Sequence, residues 1–143
     1  MFSFESINKT RMFDVDNTNF VTHTTTRRDG TVREDDPYWS CAEMYKMKGA
    51  DYVYRILGVY FNDLTENKNN RSDFQPLTPY SGAIAIEDRY VSVPSFQAEE
   101  VKAILANPAA VETIKSGRAG FQIEEYRNKW GTNYKIIWRD YQP

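Results

Sequence analysis

The sequence predicts an α+β fold: a single small domain with a mainly antiparallel sheet, two to three short helices and a C-terminal β-hairpin. Three observations carry that expectation. Residues Tyr52–Asn62 (YVYRILGVYFN) are β-branched or aromatic almost throughout, which marks a strand covered on both faces. Phe96, Val101, Ile104 and Leu105 recur at helical spacing, the pattern of a one-sided apolar helix. Phe121–Arg127 and Thr132–Asp140 flank the polar Asn128–Gly131 and alternate in character, as the two arms of a hairpin do. The chain has 143 residues, the size of one domain. It is long enough to bury roughly two-thirds of its unfolded surface without a disulfide or metal staple.

The elements follow in order. Residues 1–33 are polar and rich in Thr, Asn and Asp. Short strands are expected at Phe2–Glu5 and Phe20–Thr26. Arg28-Asp29-Gly30-Thr31 centres on Asp-Gly, a hairpin turn signal, and predicts an exposed ribbon of Phe20–Arg27 and Thr31–Glu34. We therefore divide the chain into a polar extension or hairpin arm, 1–35, and an α+β domain, 36–143. Asp36-Pro37 reads as an N-cap followed by Pro at the first helical position. It predicts a helix over Pro37–Lys48, closed by Gly49. Asp63–Ser81 reads as a loop without periodicity. Gly82–Val93 reads as a hairpin around Glu87-Asp88-Arg89. Ser95 is the expected cap of the next helix. Asn107-Pro108 caps a further one, Pro108–Ser116, with Val111 and Ile114 inward and Gly117 as its stop. In the last hairpin Phe121, Ile123, Tyr134, Ile136 and Trp138 form the expected buried face.

Composition narrows the function classes. The formal net charge is −2, with one Cys and one His, so neither an internal disulfide nor a Cys/His zinc cluster is available. No apolar run approaches the roughly 18 residues of a membrane span. The opening MFSFESINK lacks the layout of a signal peptide, so a soluble protein of the cytoplasm is expected. Charge is uneven. Residues 101–143 hold seven Lys/Arg and four Asp/Glu, and the first 100 hold eleven and sixteen. Ten Tyr, eight Phe and three Trp supply residue types that anchor interfaces and stack on bases, although Tyr is also a good strand former.

Several segments touch on chemistry. Phe13-Asp14-Val15-Asp16-Asn17-Thr18 resembles the first motif of haloacid-dehalogenase-type phosphatases, whose alternate carboxylates hold magnesium. That motif follows a buried strand, whereas Asn8-Lys9-Thr10-Arg11 is polar, so the segment reads as a turn with Asx self-bonding. Gly117-Arg118-Ala119-Gly120 followed by Ile123 resembles the KH-domain pattern, whose glycines admit a nucleic-acid backbone. That resemblance implies a helix over 121–130, where alternation implies a strand. Both stay open from sequence. Arg127, Lys129 and Trp130 extend this alternative nucleic-acid set of Gly117, Arg118 and Gly120. His23 and Cys41 lack a marked nucleophile–base relation. Walker A, Rossmann, HExxH and EF-hand signatures are absent. No catalytic residue, metal ligand or cofactor is expected.

A wider likeness covers about 90 residues. The strand Tyr52–Gly58, Val91-Ser92-Val93-Pro94 opening a helix, Ile114 through Tyr126, and Tyr134–Asp140, with Phe13–Asp16 ahead of them, resemble small proteins encoded by phages and prophages of Gram-positive bacteria. The resemblance implies a setting, the host cytoplasm, and a mode of action by stoichiometric binding. Anti-CRISPR and related anti-defence proteins are its best-known case. The expected partner is a host defence protein or ribonucleoprotein. Acidic Glu34, Asp35 and Asp36, with Asp14 and Asp16, would face a basic channel, and Tyr38, Trp39 and Trp130 would anchor the contact. Single-stranded nucleic acid is the alternative partner. A sponge for a signalling nucleotide, with a pocket at an oligomer interface, is a third. A homodimer is compatible with each.

Overall fold

A computed structural model describes residues 12–26, 29–63 and 80–142. The expected strand Phe2–Glu5, Arg27 and Arg28 of the first turn, and residues 64–79 of the expected loop lie outside the described residues. The chain forms a single mixed α+β domain of nine strands and three short helices among the described residues. β1 (His23–Thr26) and β2 (Val32–Asp36) make an antiparallel ribbon. β3 (Tyr38–Trp39), β5 (Gly58–Asp63), β6 (Tyr80–Ala85) and β7 (Tyr90–Val93) make a sheet of order β3-β7-β6-β5, antiparallel except for the β3–β7 pair. β4 (Tyr54–Arg55), β8 (Ala119–Asn128) and β9 (Gly131–Asp140) make the third, antiparallel sheet. The helices are α1 (Cys41–Lys48), α2 (Ala98–Leu105) and α3 (Pro108–Lys115). The core joins both larger sheets through Met44, Ile56, Val59, Ile84, Val91, Val101, Phe121, Ile123 and Ile136. α1 packs on β7, β8 and β9, and α2 packs on β5 and β6.

Two expected elements are corrected. The first helix does not begin at Pro37. Ser40 is its N-cap, with Glu43 N–H donating to Ser40 Oγ and Ser40 N–H donating to Glu43 Oε1. This reciprocal box satisfies two backbone donors at once. Tyr38-Trp39 instead pairs in parallel with Tyr90-Val91. The run 52–62 is two strands, not one. Ile56 N–H donates to Ala119 of the β8 sheet, and the next residue, Leu57, donates to Ala85 of β6. The chain changes sheets between them. Its apolar character is continuous because both sheets feed one core. Among the described residues β5 is an edge strand.

Other expectations hold. β6 and β7 form the hairpin around 87–89. Asn107 caps α3, its Oδ1 accepting from Ala109 and Ala110 N–H, with Pro108 in the first turn. Gly117 follows at φ +76°, a left-handed conformation that Gly adopts at least cost. The α2 segment differs in detail. A single 3₁₀ turn, Ser95–Gln97, precedes the helix, no side chain caps it, and Phe96 is 62% exposed rather than inward.

The C-terminal hairpin is the longest element pair. Its register pairs Phe121 with Trp138, Ile123 with Ile136 and Glu125 with Tyr134, so these side chains share one face. Phe121, Ile123 and Ile136 are buried, and Tyr134 and Trp138 pack partly against them. The edge of β9 is closed by one side chain. Gln97, 4% exposed, donates through Nε2 to Ile136 O (2.8 Å) and accepts at Oε1 from Ile136 N–H (2.7 Å). A strand edge buried without such partners leaves costly unpaired groups.

Candidate functional site

The acidic and aromatic residues of 34–39 part company in the structure. The β1–β2 register slips between His23 and Thr25, which leaves one additional residue on β2. Asp35 sits at φ +53°, a left-handed position that Asp tolerates better than most. This bulge turns Asp36 inward. Asp36 is buried, accepting at Oδ1 from Tyr38 N–H (2.9 Å) and at Oδ2 from Thr25 Oγ1 (2.9 Å). Burial acts to raise its pKa. The Tyr38 and Thr25 hydrogen bonds, with Arg33 and His23 nearby, outweigh that and hold it below the usual carboxylate value. Asp36 is therefore a structural clamp, not a contact residue. Glu34 and Asp35 are exposed.

Trp39 is also held internally. His23 stacks on it at 3.7 Å with an interplanar angle of 3°. The Arg89 guanidinium lies 4.5 Å from its ring centroid, and Nε1–H donates to Val21 O (3.0 Å). His23 sits in the largely exposed ribbon that its threonine neighbours imply, but its own ring is half-buried. One ring nitrogen is 2.7 Å from Tyr38 O and the other 3.2 Å from Glu43 Oε2. Glu43 thus serves both the α1 cap and His23. Tyr38 keeps 38% of its surface exposed and stacks on Tyr90 at 4.9 Å. Burial pushes its hydroxyl pKa up.

Trp130 differs from both. It is 81% exposed in the two-residue turn Lys129-Trp130 between β8 and β9. Asn128 Oδ1 accepts from Trp130 N–H (2.9 Å), and Gly131 at φ +121° takes the bend. Lys129 Nζ lies 4.4 Å from the indole centroid, and Arg127 is exposed beside it. The tip therefore presents an indole with two cations.

The glycine-rich segment does not join this tip. Residues 119–128 are strand, so the helix that a KH-like clamp requires after its second glycine is not formed. Gly117 ends α3, and Gly120 lies within β8. A Cβ on Gly120 would stand 2.8 Å from the Tyr54 carbonyl oxygen and 2.9 Å from Val53 Cγ1. Gly120 serves close strand packing, not backbone approach by a ligand. At about 3.3 Å per residue, Arg118 and the Arg127–Trp130 tip lie at opposite ends of the hairpin. The sequence-based set is thus two separate groups.

The remaining chemical candidates resolve as structure. Asp16 accepts at Oδ1 from Thr18 N–H (3.0 Å) and Thr18 Oγ1 (2.7 Å), the expected self-bonded turn. The Thr18 backbone bond lowers its pKa first, the hydroxyl second. Phe13, next to it, joins the core. Cys41 is buried, and burial pushes its thiol up to about 12, far from the thiolate a nucleophile needs. Among the described residues no group of three or more His, Cys, Asp or Glu is placed to hold a metal ion. Among the same residues no helix is long and apolar enough to cross a membrane.

Two features had no place in the sequence argument. Gln97 is one, since a lone Gln carries no pattern. Arg89 is the other: it is buried, paired with the adjacent Asp88 through Nε–Oδ1 (3.0 Å) and Nη2–Oδ2 (2.9 Å). Its hydrogen bonds hold the Asp88 pKa low. No protein-family model matches the chain, and no curated protein or solved structure is found to be similar to it.

Proposed function

We propose that the protein acts by stoichiometric binding to a macromolecular partner, as a phage-encoded inhibitor of a host defence system, with the β8–β9 tip as its principal contact. One observation carries this reading: Trp130 stands 81% exposed at the end of a hairpin of two ten-residue strands. A solvated indole costs solubility and contributes nothing to the core, whereas Trp is the residue type most enriched among interface anchors. Exposed Glu34 and Asp35 on the β1–β2 ribbon supply the charge for a basic partner. Of the acidic trio only these two remain available, because Asp36 is committed to Thr25 and Tyr38.

Expression in a bacterium that carries a defined CRISPR–Cas system tests it, with phage plaquing as the readout. Wild-type protein should restore plaquing and co-elute with the effector complex at fixed stoichiometry. Trp130→Ala should abolish both while its thermal unfolding stays unchanged. Restoration by Trp130→Ala at wild-type level would remove the tip from the function.

A second reading has its own support. Arg127 and Lys129 flank the exposed indole, the pairing of cation and stacking ring that single-stranded nucleic acid uses. Fluorescence anisotropy with a labelled oligonucleotide at two salt concentrations distinguishes it. Micromolar, salt-dependent binding lost in Lys129→Gln would favour nucleic acid over a protein partner.

A further inference from the structure

The outer face of the β4-β8-β9 sheet gathers three arginines that no carboxylate among the described residues neutralises. Arg55 and Arg139 are each in register with Gly120, so their side chains leave the same face of the sheet. Arg118 lies two residues before Gly120 on the same strand path, where Tyr141 N–H continues the pairing onto its carbonyl (2.8 Å). The Arg55 guanidinium lies against Gly117, 2.9–3.3 Å from where a Cβ would stand. Arg118 Nε donates to Ser116 Oγ (3.1 Å). The two heads therefore meet adjacent residues of one turn. Arg139 Nε donates to Gln122 Oε1 (2.8 Å). Among the described residues none of the three makes an ion pair, and Glu124, the acid further along this face, is paired with Lys135 at 3.8 Å.

Arg55 stands apart even among these. Its Nε is buried and has no hydrogen-bond partner among the described residues. A buried guanidinium donor left unpaired is costly, and an anion lying against the group would offset that cost. Arg55 and Tyr141 also line a cleft of about 280 Å³ that runs along β4 between the two large sheets. Tyr52, Tyr54, Met44 and Met47 form its aromatic and thioether walls. Arg89 and Asp88 within it neutralise each other, Lys48 adds a cation over Tyr52 (5.3 Å), and Glu87 adds a carboxylate at its rim. Its volume is near the lower end of small-ligand pockets.

We infer that this corner binds a small nucleotide, with the phosphate on Arg55, Arg118 and Arg139 and the base in the adjoining cleft. Planar arginine forks match phosphate oxygens, and Tyr52, 47% exposed, offers a face for a base. A nucleic-acid strand fits less well. The basic tip lies a hairpin's length away, and Gln122 and the neutralised Glu124–Lys135 pair occupy the face between. The cationic surface is a corner, not a track.

Calorimetric titration of the full chain with the four ribonucleoside 5′-monophosphates, the matching nucleosides and inorganic phosphate tests this. At least one monophosphate should bind, and its nucleoside should bind at least about tenfold more weakly. Arg139→Gln should weaken the nucleotide about tenfold. Arg55→Gln should do the same, and the exposed Arg139 variant keeps the test valid if Arg55→Gln unfolds. Lys129→Gln and Trp130→Ala should leave it unchanged, which separates this site from the hairpin tip. The inference is overturned if no monophosphate binds, or if binding survives Arg139→Gln. Inorganic phosphate binding as tightly as every nucleotide would also overturn it. So would binding confined to an oligonucleotide and lost in Lys129→Gln.

Discussion

Trp39 and Trp130 look alike in the sequence, each in a polar stretch beside charged residues, and the structure gives them opposite tasks. Trp39 is enclosed by His23 on one ring face, by the Arg89 guanidinium within cation–π range and by Val21 at its N–H. Trp130 has a lysine over its ring and water around most of the rest. The first fastens the β1–β2 ribbon to β3 and to the 86–89 turn. The second projects from the domain at the end of two strands. An aromatic residue in a polar context is thus no guide to exposure until its long-range partners are known. Val21, His23 and Arg89, the three partners of Trp39, are 18, 16 and 50 residues away from it.

Removing the ring of Trp39 is the strongest way to break this contrast. Trp39→Ala should cost about 3 kcal/mol, within the range for large aromatic truncations, read from urea unfolding. It should also free His23. A double variant with His23→Ala should then fall short of additivity by about 0.5–1 kcal/mol. Full additivity would mean that the stack contributes nothing.

Gln97 sharpens the other half, because it holds the body of the hairpin while the tip stays free. Gln97→Leu keeps the volume but leaves Ile136 N–H and C=O buried without partners. The expected loss is about 2 kcal/mol, measured by the same unfolding. Hydrogen exchange at the Ile136 amide should rise well above that of its neighbours in β9.

The structure was legible from sequence where local chemistry decides it. Alternation over 121–140, the Asn107-Pro108 cap and the Gly117 stop all describe the folded chain. It was illegible where two local signals compete. Asp36-Pro37 and Ser40-x-x-Glu43 both announce a helix start, and only the second closes a capping box. The first is overridden because Asp36 accepts from Thr25 and Tyr38 pairs with Tyr90, neither of which is local. The sheet switch at Ile56–Leu57 was hidden for the same kind of reason: a core shared by two sheets makes two short strands read as one. Of the expected contact residues, Trp130, Glu34, Asp35 and Tyr38 are exposed. Asp36 is buried and Trp39 half-buried, and no single-residue property distinguishes them.

Asp36 offers a smaller, pH-resolved test of the fastened end. Its folded pKa lies below the ordinary value, so its carboxylate stabilises the fold above about pH 3.9, the unfolded value. That contribution is lost as pH falls through the lower folded value. Asp36→Asn should cost about 1–2 kcal/mol at pH 7. The gap between variant and wild type should close below pH 4, because protonation removes in wild type what the substitution already removed. A gap that persists to pH 2 would show that shape, not charge, is what Asp36 supplies.

The smallest expected effect on stability is at Trp130, and that smallness is its significance. Trp130→Ala should change unfolding free energy by less than about 0.5 kcal/mol, since the Asn128 and Gly131 geometry of the turn does not depend on the ring. Fluorescence should register the change strongly. Among Trp39, Trp130 and Trp138, the indole most open to acrylamide is Trp130, so the variant should lose the readily quenched component of emission. Trp138, whose N–H donates to Glu100 at 2.9 Å, and Trp39 should remain as protected signals. A loss of more than about 1 kcal/mol in Trp130→Ala would instead mean that the ring packs within the chain, and the contrast with Trp39 would collapse.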